Sequence, residues 1–164
     1  MGKSSPHLID PREAGLKRLE LHHPLFDESA IARAEQMLQV LGGSMQQWLE
    51  ADVARLQDLR AAAEHAGWSF SAQENLVSVA HDLKGMGETY GFPLVSQFSA
   101  SLCRLLETDD GKSLAQKSPA LACAHIDAIR AAVAGEIRSA SDPVGGATLA
   151  ALEAEVAKLG VAPL

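Results

Sequence analysis

The chain reads as an all-α protein: an antiparallel four-helix bundle core with extra N- and C-terminal helical segments. Three observations predict this. The composition is 47% apolar but only 4% aromatic, and Ala and Leu, which dominate it, are strong helix formers, whereas β-branched residues are sparse. Apolar residues recur three and four positions apart along most of the chain. Short turns separate the periodic runs, so consecutive helices are expected to pack antiparallel. At 164 residues the chain can bury a core without disulfide or metal staples.

Residues 1–26 contain Pro6, Pro11 and Pro24 and lack sustained periodicity. They are expected to form a partly disordered arm with a short helix over Glu13–Leu21. A first helix is expected after Asp27, a good capping residue, ending at Leu41 because Gly42-Gly43 follows. Ser44-x-x-Gln47 resembles a capping box for a second helix, in which Trp48, Leu49, Val53, Leu56, Leu59 and Ala63 share a face and Gly67 marks the end. Ser71-x-x-Glu74 predicts a third helix from Ala72 to about Tyr90. Gly91-Phe92-Pro93 breaks it, since Pro93 disfavours helix at the residue before it. Pro93–Glu107 forms the next helix and Asp109-Asp110-Gly111 a turn. Ser118-Pro119 starts a helix that runs to about Arg138. The bundle therefore spans 27–140. A linker through Ser141-Asp142-Pro143 and Gly145-Gly146 leads to a short final helix, Ala147–Lys158, within 141–164.

The net charge of −7 argues against a nucleic-acid partner, which needs a basic face. No apolar run is long enough to cross a bilayer, and the polar N-terminus lacks a signal-peptide core. Cys103 and Cys123 both lie in apolar helical patterns and read as free thiols at core or boundary positions, not as a disulfide. A soluble, cytoplasmic monomer is expected. His22-His23 has no spaced partners for a metal. His125 and Arg130 are read as exposed surface residues.

One residue does not fit the core. On the helix containing Leu76, Val79, Leu83, Gly87 and Tyr90, His81 lies about 160° from the centre of the apolar stripe, given about 100° per residue. It is therefore expected to face water. Imidazole titrates so that a large neutral fraction persists at neutral pH, with a free lone pair that can attack phosphorus. Lys84 lies one turn on, where a cation can stabilise phosphoryl oxygens. Gly85 leaves the backbone bare for a partner to approach, although a mid-helix glycine costs about 1 kcal/mol against alanine. Val77, Ser78 and Glu88 flank the ring and are candidate partner contacts. A single exposed His is most often an ordinary surface residue; the grouping with Lys84 and Gly85 on one face is what singles it out.

The stretch AHDLKGMGETYGFPLVSQFSASLCRLLE, residues 80–107, resembles the signature of histidine phosphotransfer (HPt) domains. The likeness extends over 28–138 and is sharpest in 76–107. The resemblance implies a four-helix bundle whose histidine takes a phosphoryl group from a receiver-domain aspartate, or from a kinase, and passes it to another receiver. By position, His81 would be the phospho-acceptor, Lys84 the electrostatic helper, Gly85 the clearance and Gly91 the end of the helix. Partners would be receiver domains of response regulators or hybrid histidine kinases, with Mg²⁺ supplied by the receiver and no cofactor of the chain's own. Two positions depart from the family pattern. Met86 stands where a small residue is frequent. Cys103 stands where some members carry a glutamine that orients the imidazole, and Gln97 is the nearby glutamine.

No Walker-type loop is present, so the resemblance implies a phosphoryl carrier without kinase activity of its own, not an enzyme. An alternative is a non-transferring helical interaction module that binds and inhibits a receiver or a histidine kinase. A third possibility, the dimerisation hairpin of a histidine kinase, suits Gly85 and the Gly-Phe-Pro break poorly.

Overall fold

The computed structural model describes residues 27–160. The expected arm over 1–26, with its short helix and His22-His23, lies outside them. Contacts divide the chain after Gln39. The described part of the first unit, 27–39, is the opening of α1 (Glu28–His65). Asp27 caps it as the sequence predicts: its carboxylate accepts from the Ser29 backbone N–H and from Ser29 Oγ at 2.8 Å. These bonds hold the carboxyl below its usual range.

The second unit holds the remainder of α1, then α2 (Phe70–Met86), α3 (Pro93–Glu107), α4 (Asp109–Lys117), α5 (Ala120–Ala134) and α6 (Pro143–Ala157). All the regular structure among the described residues is helical. The expected break at Gly42-Gly43 does not occur; α1 runs straight through. Glycine weakens a helix, but it ends one where the chain enters positive φ, and the helix-ending glycine is Gly67 at φ +59°. Ser44 caps nothing: its Oγ donates to Val40 O, one turn back, at 3.1 Å. Leu49, Val53, Leu56 and Ala63 are buried, while Trp48, expected on the same stripe, is 53% exposed. Arg60 joins α1 to α5 through Asp127 Oδ1 at 2.7 Å.

The turn into α2 uses two consecutive left-handed residues, Gly67 and Trp68 (φ +52°). That conformation costs a non-glycine residue about 1–2 kcal/mol; burial of the indole, 3% exposed, offsets it. Fully buried Gln73 secures the turn, donating from Nε2 to Trp68 O at 2.7 Å and to Lys112 O on α4 at 3.1 Å. The cap of α2 is Ser69, which accepts from Ala72 N–H, so the expected box at Ser71 is two residues late.

α3 is the centre of this unit, touching α2, α4, α5 and α6. Eleven of its fifteen residues are buried. Ser96, Ser99, Ala100 and Ser101 keep parts of its surface low, so that neighbours pack close. Pro93 opens it and Glu107 closes it, as the sequence predicts. The Asp109-Asp110-Gly111 segment is not a free turn but the first turn of α4. Thr108 Oγ1 caps it from Gly111 N–H at 3.1 Å, and two acids stand at the positive end of the helix dipole.

α5 stops at Ala134, short of Arg138, because the chain turns through Gly135 and Glu136 (φ +52°). Leu94 N–H then donates to Arg138 O at 2.9 Å, and the Arg138 guanidinium stacks over Phe92, 4.7 Å from its centroid. α6 begins at Pro143, inside the expected linker. Asp142 Oδ1 accepts from Val144 and Gly145 N–H, both at 2.9 Å, and Leu152 and Val156 are buried.

α2 and α3 meet at a crossing too close for a side chain. A Cβ on Gly87 would lie 2.5 Å from Ser96 Oγ and 2.8 Å from Ser96 N. Ser96 Oγ accepts from Glu88 N–H at 3.0 Å, and Phe92 N–H donates to Gly87 O at 2.8 Å. Gly85, two residues earlier, has nothing within 4 Å of a Cβ. The two glycines should therefore respond in opposite directions to alanine. Gly87→Ala should destabilise by about 1–3 kcal/mol through overpacking. Gly85→Ala should be neutral or stabilise by up to about 1 kcal/mol through helix propensity. Urea midpoints of the two variants check this.

Candidate functional site

The burial pattern of α2 fixes what its outer face presents. Leu76, Val79, Ala80 and Leu83 are buried, which turns His81 outward and leaves it exposed. Lys84 and Gly85 follow on the same face, both exposed, with open space over the Gly85 backbone. Ser78 and Glu88 are exposed as well. Val77, expected to stand on the exposed side, is half-buried and packs against the core cluster. It lies about 40° from His81 on the helix, close enough to the boundary for α3 to cover part of it. Met86 is 41% exposed and so tolerates its size at a position where the family pattern favours a small residue.

Nothing among the described residues hydrogen-bonds the His81 ring. Cys103, at the position of the family's orienting glutamine, is buried beneath α2 with Sγ 4.0 Å from Val77 O. Burial pushes its thiol up to about 11, so it is an inert packing group. Gln97 is half-buried. Cys123 is half-buried and free, and burial raises its thiol too.

Three further groups shape the electrostatics, and the sequence reading did not single them out. Asp52 on α1 has its carboxyl raised by partial burial and by the like charge of Asp82 on α2. The Tyr90 hydroxyl is raised by burial and by the same two carboxylates. Asp82 follows His81 directly and Lys84 comes one turn later, so the ring has an acidic and a basic neighbour on α2. Recognising Asp52 required knowing that the fold brings it near enough to Asp82 for their charges to interact, a tertiary fact that helical spacing within α2 does not contain.

His125 corrects an expectation. It is fully buried, not exposed. Its Nδ1 lies 2.8 Å from Leu121 O and its Nε2 2.9 Å from Ser101 Oγ. A carbonyl only accepts, so Nδ1 carries the proton and Ser101 donates to Nε2. The two atoms have the chemistry of a nucleophile and base, but both residues are 0% exposed, and the pair joins α3 to α5. Arg104 and Glu153 form an ion pair nearby, linking α3 to α6. The wheel could have shown this, since Ala122 and Ile129 lie one turn before and after His125 and are buried. Arg130 is exposed as expected, 3.9 Å from Asp127.

Among the described residues no group of three or more His, Cys, Asp or Glu side chains is placed to hold a metal ion. No helix among them is long and apolar enough to cross a membrane.

Burial holds the His125 imidazole below its ordinary range. The folded state therefore resists a proton that the unfolded chain accepts. The stabilising contribution is complete above the unfolded value near ~6.5 and declines as pH falls below it towards the folded value. Urea midpoints measured from pH 8 to pH 5 should fall for the wild-type chain and fall less for His125→Gln. Compared with known proteins, the chain matches no family model, and no curated protein and no solved structure matches it.

Proposed function

We propose that this chain is a histidine phosphotransfer protein, with His81 the residue that carries the phosphoryl group. The observation that supports it best is the exposed imidazole of His81 standing beside Lys84 and an open stretch of backbone at Gly85. On this reading a receiver domain docks over α2 and presents an aspartyl phosphate with its own Mg²⁺. A neutral ring nitrogen attacks phosphorus, an N–P bond forms, and the P–O bond to the aspartate breaks, returning the electron pair to the carboxylate. The reverse step onto a second receiver completes the relay. Lys84 stabilises the charge spread over the equatorial oxygens. Gly85 lets the partner's backbone approach the ring. The chain contributes a nucleophile and its surroundings, as a carrier working alongside cytoplasmic receivers and hybrid kinases.

Incubation with a phosphorylated receiver is the test. Transfer should give an acid-labile, base-stable label on the chain that His81→Gln abolishes. Tight binding without label would instead assign the chain as a non-transferring module that sequesters a receiver or kinase.

Two substitutions separate the roles of the neighbours. Gly85→Gln should keep the fold and slow transfer at least tenfold by blocking approach. Lys84→Ala should slow transfer several-fold or shorten the phosphohistidine lifetime. Stopped-flow transfer kinetics and the decay of isolated labelled chain read these effects.

A further inference from the structure

The joint beneath the C-terminal part of α6 is built largely from polar groups. Three of the fifteen residues of α6 are buried, Gly145, Leu152 and Val156. Its first turn is anchored. Asp142 caps it, and Gly145 packs so closely that a Cβ would lie 2.7 Å from the Leu94 side chain and 2.9 Å from that of Ile137. Farther along, Glu153 is tied to Arg104 of α3. Gln97 lies two turns before Arg104, on the same face of α3, and its buried Oε1 has no partner. A buried acceptor left unmade counts against the docked arrangement. Leu121 and Ala124 of α5 line one groove with Ala151 and Leu152 of α6. His125 follows Ala124 and is fully buried. The charged groups that face its ring are Glu153 from α6 and Arg104 from α3; Asp127, the nearest acid on α5 itself, is turned to Arg60 of α1.

We propose that α6 is a proton-sensitive latch: its C-terminal turns lie docked on α3 and α5 while the His125 ring is neutral, and lift off ahead of the other helices when that ring takes up a proton. The neutral ring fits its place, with Nδ1 donating to Leu121 O and Nε2 accepting from Ser101. A second proton leaves both bonds possible, because the Ser101 hydroxyl can turn and accept. The charge is what the site resists, since water is excluded from it. Glu153 is the carboxylate that faces the ring, and it already neutralises Arg104. Two cations would then share one carboxylate. Lifting the turns around Leu152, Glu153 and Val156 lets water reach the ring, Gln97 Oε1 and both members of the ion pair. A helix of this length is marginal alone, so the lifted turns fray. Burial holds the docked ring below its ordinary range, whereas the released ring titrates near ~6.5. Docking is therefore strongest above that value and weakens as pH falls towards the docked one, by up to about tenfold per pH unit. The inference does not rest on phosphotransfer, and it places the first step of acid destabilisation at α6.

Native-state hydrogen exchange of the full chain, read by mass spectrometry in low urea and corrected for the intrinsic pH dependence of exchange, tests it. Residues 148–157 should exchange through an opening of their own, with a much shallower urea dependence than the amides of α2 and α3. Protection there should be about five- to tenfold lower at pH 5.5 than at pH 7.5. In His125→Gln, whose amide keeps a donor and an acceptor, the same opening should lose its pH dependence. Exchange of 148–157 with the urea dependence of α3 would overturn the inference, because α6 would then leave only when the whole unit unfolds. A separate opening that ignores pH would overturn it too, as would a pH dependence that His125→Gln retains. Should that variant not fold, the wild-type profile decides. The fall in protection should begin near ~6.5 and level off at the pH where nuclear magnetic resonance shows the His125 ring titrating. A fall that runs on past that point, or a ring that titrates at its ordinary value, sinks the proposal.

Discussion

Where α2 crosses α3, the backbone at Gly87 presses against Ser96 with no room for a methyl group. The geometry of the unit from Val40 onward depends on that approach. It brings α2 close enough for Leu76, Val79, Ala80 and Leu83 to bury against the core, and burying one face decides which residues face outward. The turn reinforces the crossing through Ser96 Oγ on Glu88 N–H and Gly87 O on Phe92 N–H. His81 is outside because that stripe is inside. A helix turns about 100° per residue, so a shift of one position in the α2 packing would carry the ring far from its present direction.

Around this crossing the interior is held by a few polar side chains bonded to backbone or to each other. Gln73 joins the Trp68 turn to α4. Ser101 and His125 join α3 to α5, and Arg104 and Glu153 join α3 to α6. Each takes a polar group out of water and supplies it a partner, which offsets part of the cost of burial; Gln73 Oε1 stays buried without one, so that site is held by its Nε2 alone. Apolar contacts tolerate small slips, whereas these bonds have narrow geometry. They give the packing of mostly Ala- and Leu-rich helices a definite register.

How much of this was legible in the sequence depends on whether the signal was local. The limits of α3 were legible, because Pro93 can begin a helix and its long apolar stripe has one reading. The outward direction of His81 was legible for the same reason: a wheel needs only the residues of one helix. The Gly42-Gly43 break was misread because glycine content is not a φ value, and nothing at those residues forces a turn. α4 was read as a turn because Asp-Asp-Gly suits a turn and a helix start equally; Thr108 as a cap and Gln73 reaching the Lys112 carbonyl decide between them. The burial of His125 was legible but missed, since Ala122 and Ile129 share its face of α5; the coupling of Asp52 to Asp82 lay beyond local reading, since it depends on which helix lies alongside.

The bare backbone at Gly85 has a consequence for selectivity. A convex helical surface without side chains gives a visiting protein very little to discriminate by. If contact with phosphate carriers is made there, the patch is permissive, and any preference among visitors must be encoded around its margin. Ser78 and Glu88 stand on that margin, one to either side of Gly85 along the chain and both exposed. On the proposed function, altering them would change the preference among receivers while leaving the ring itself in place.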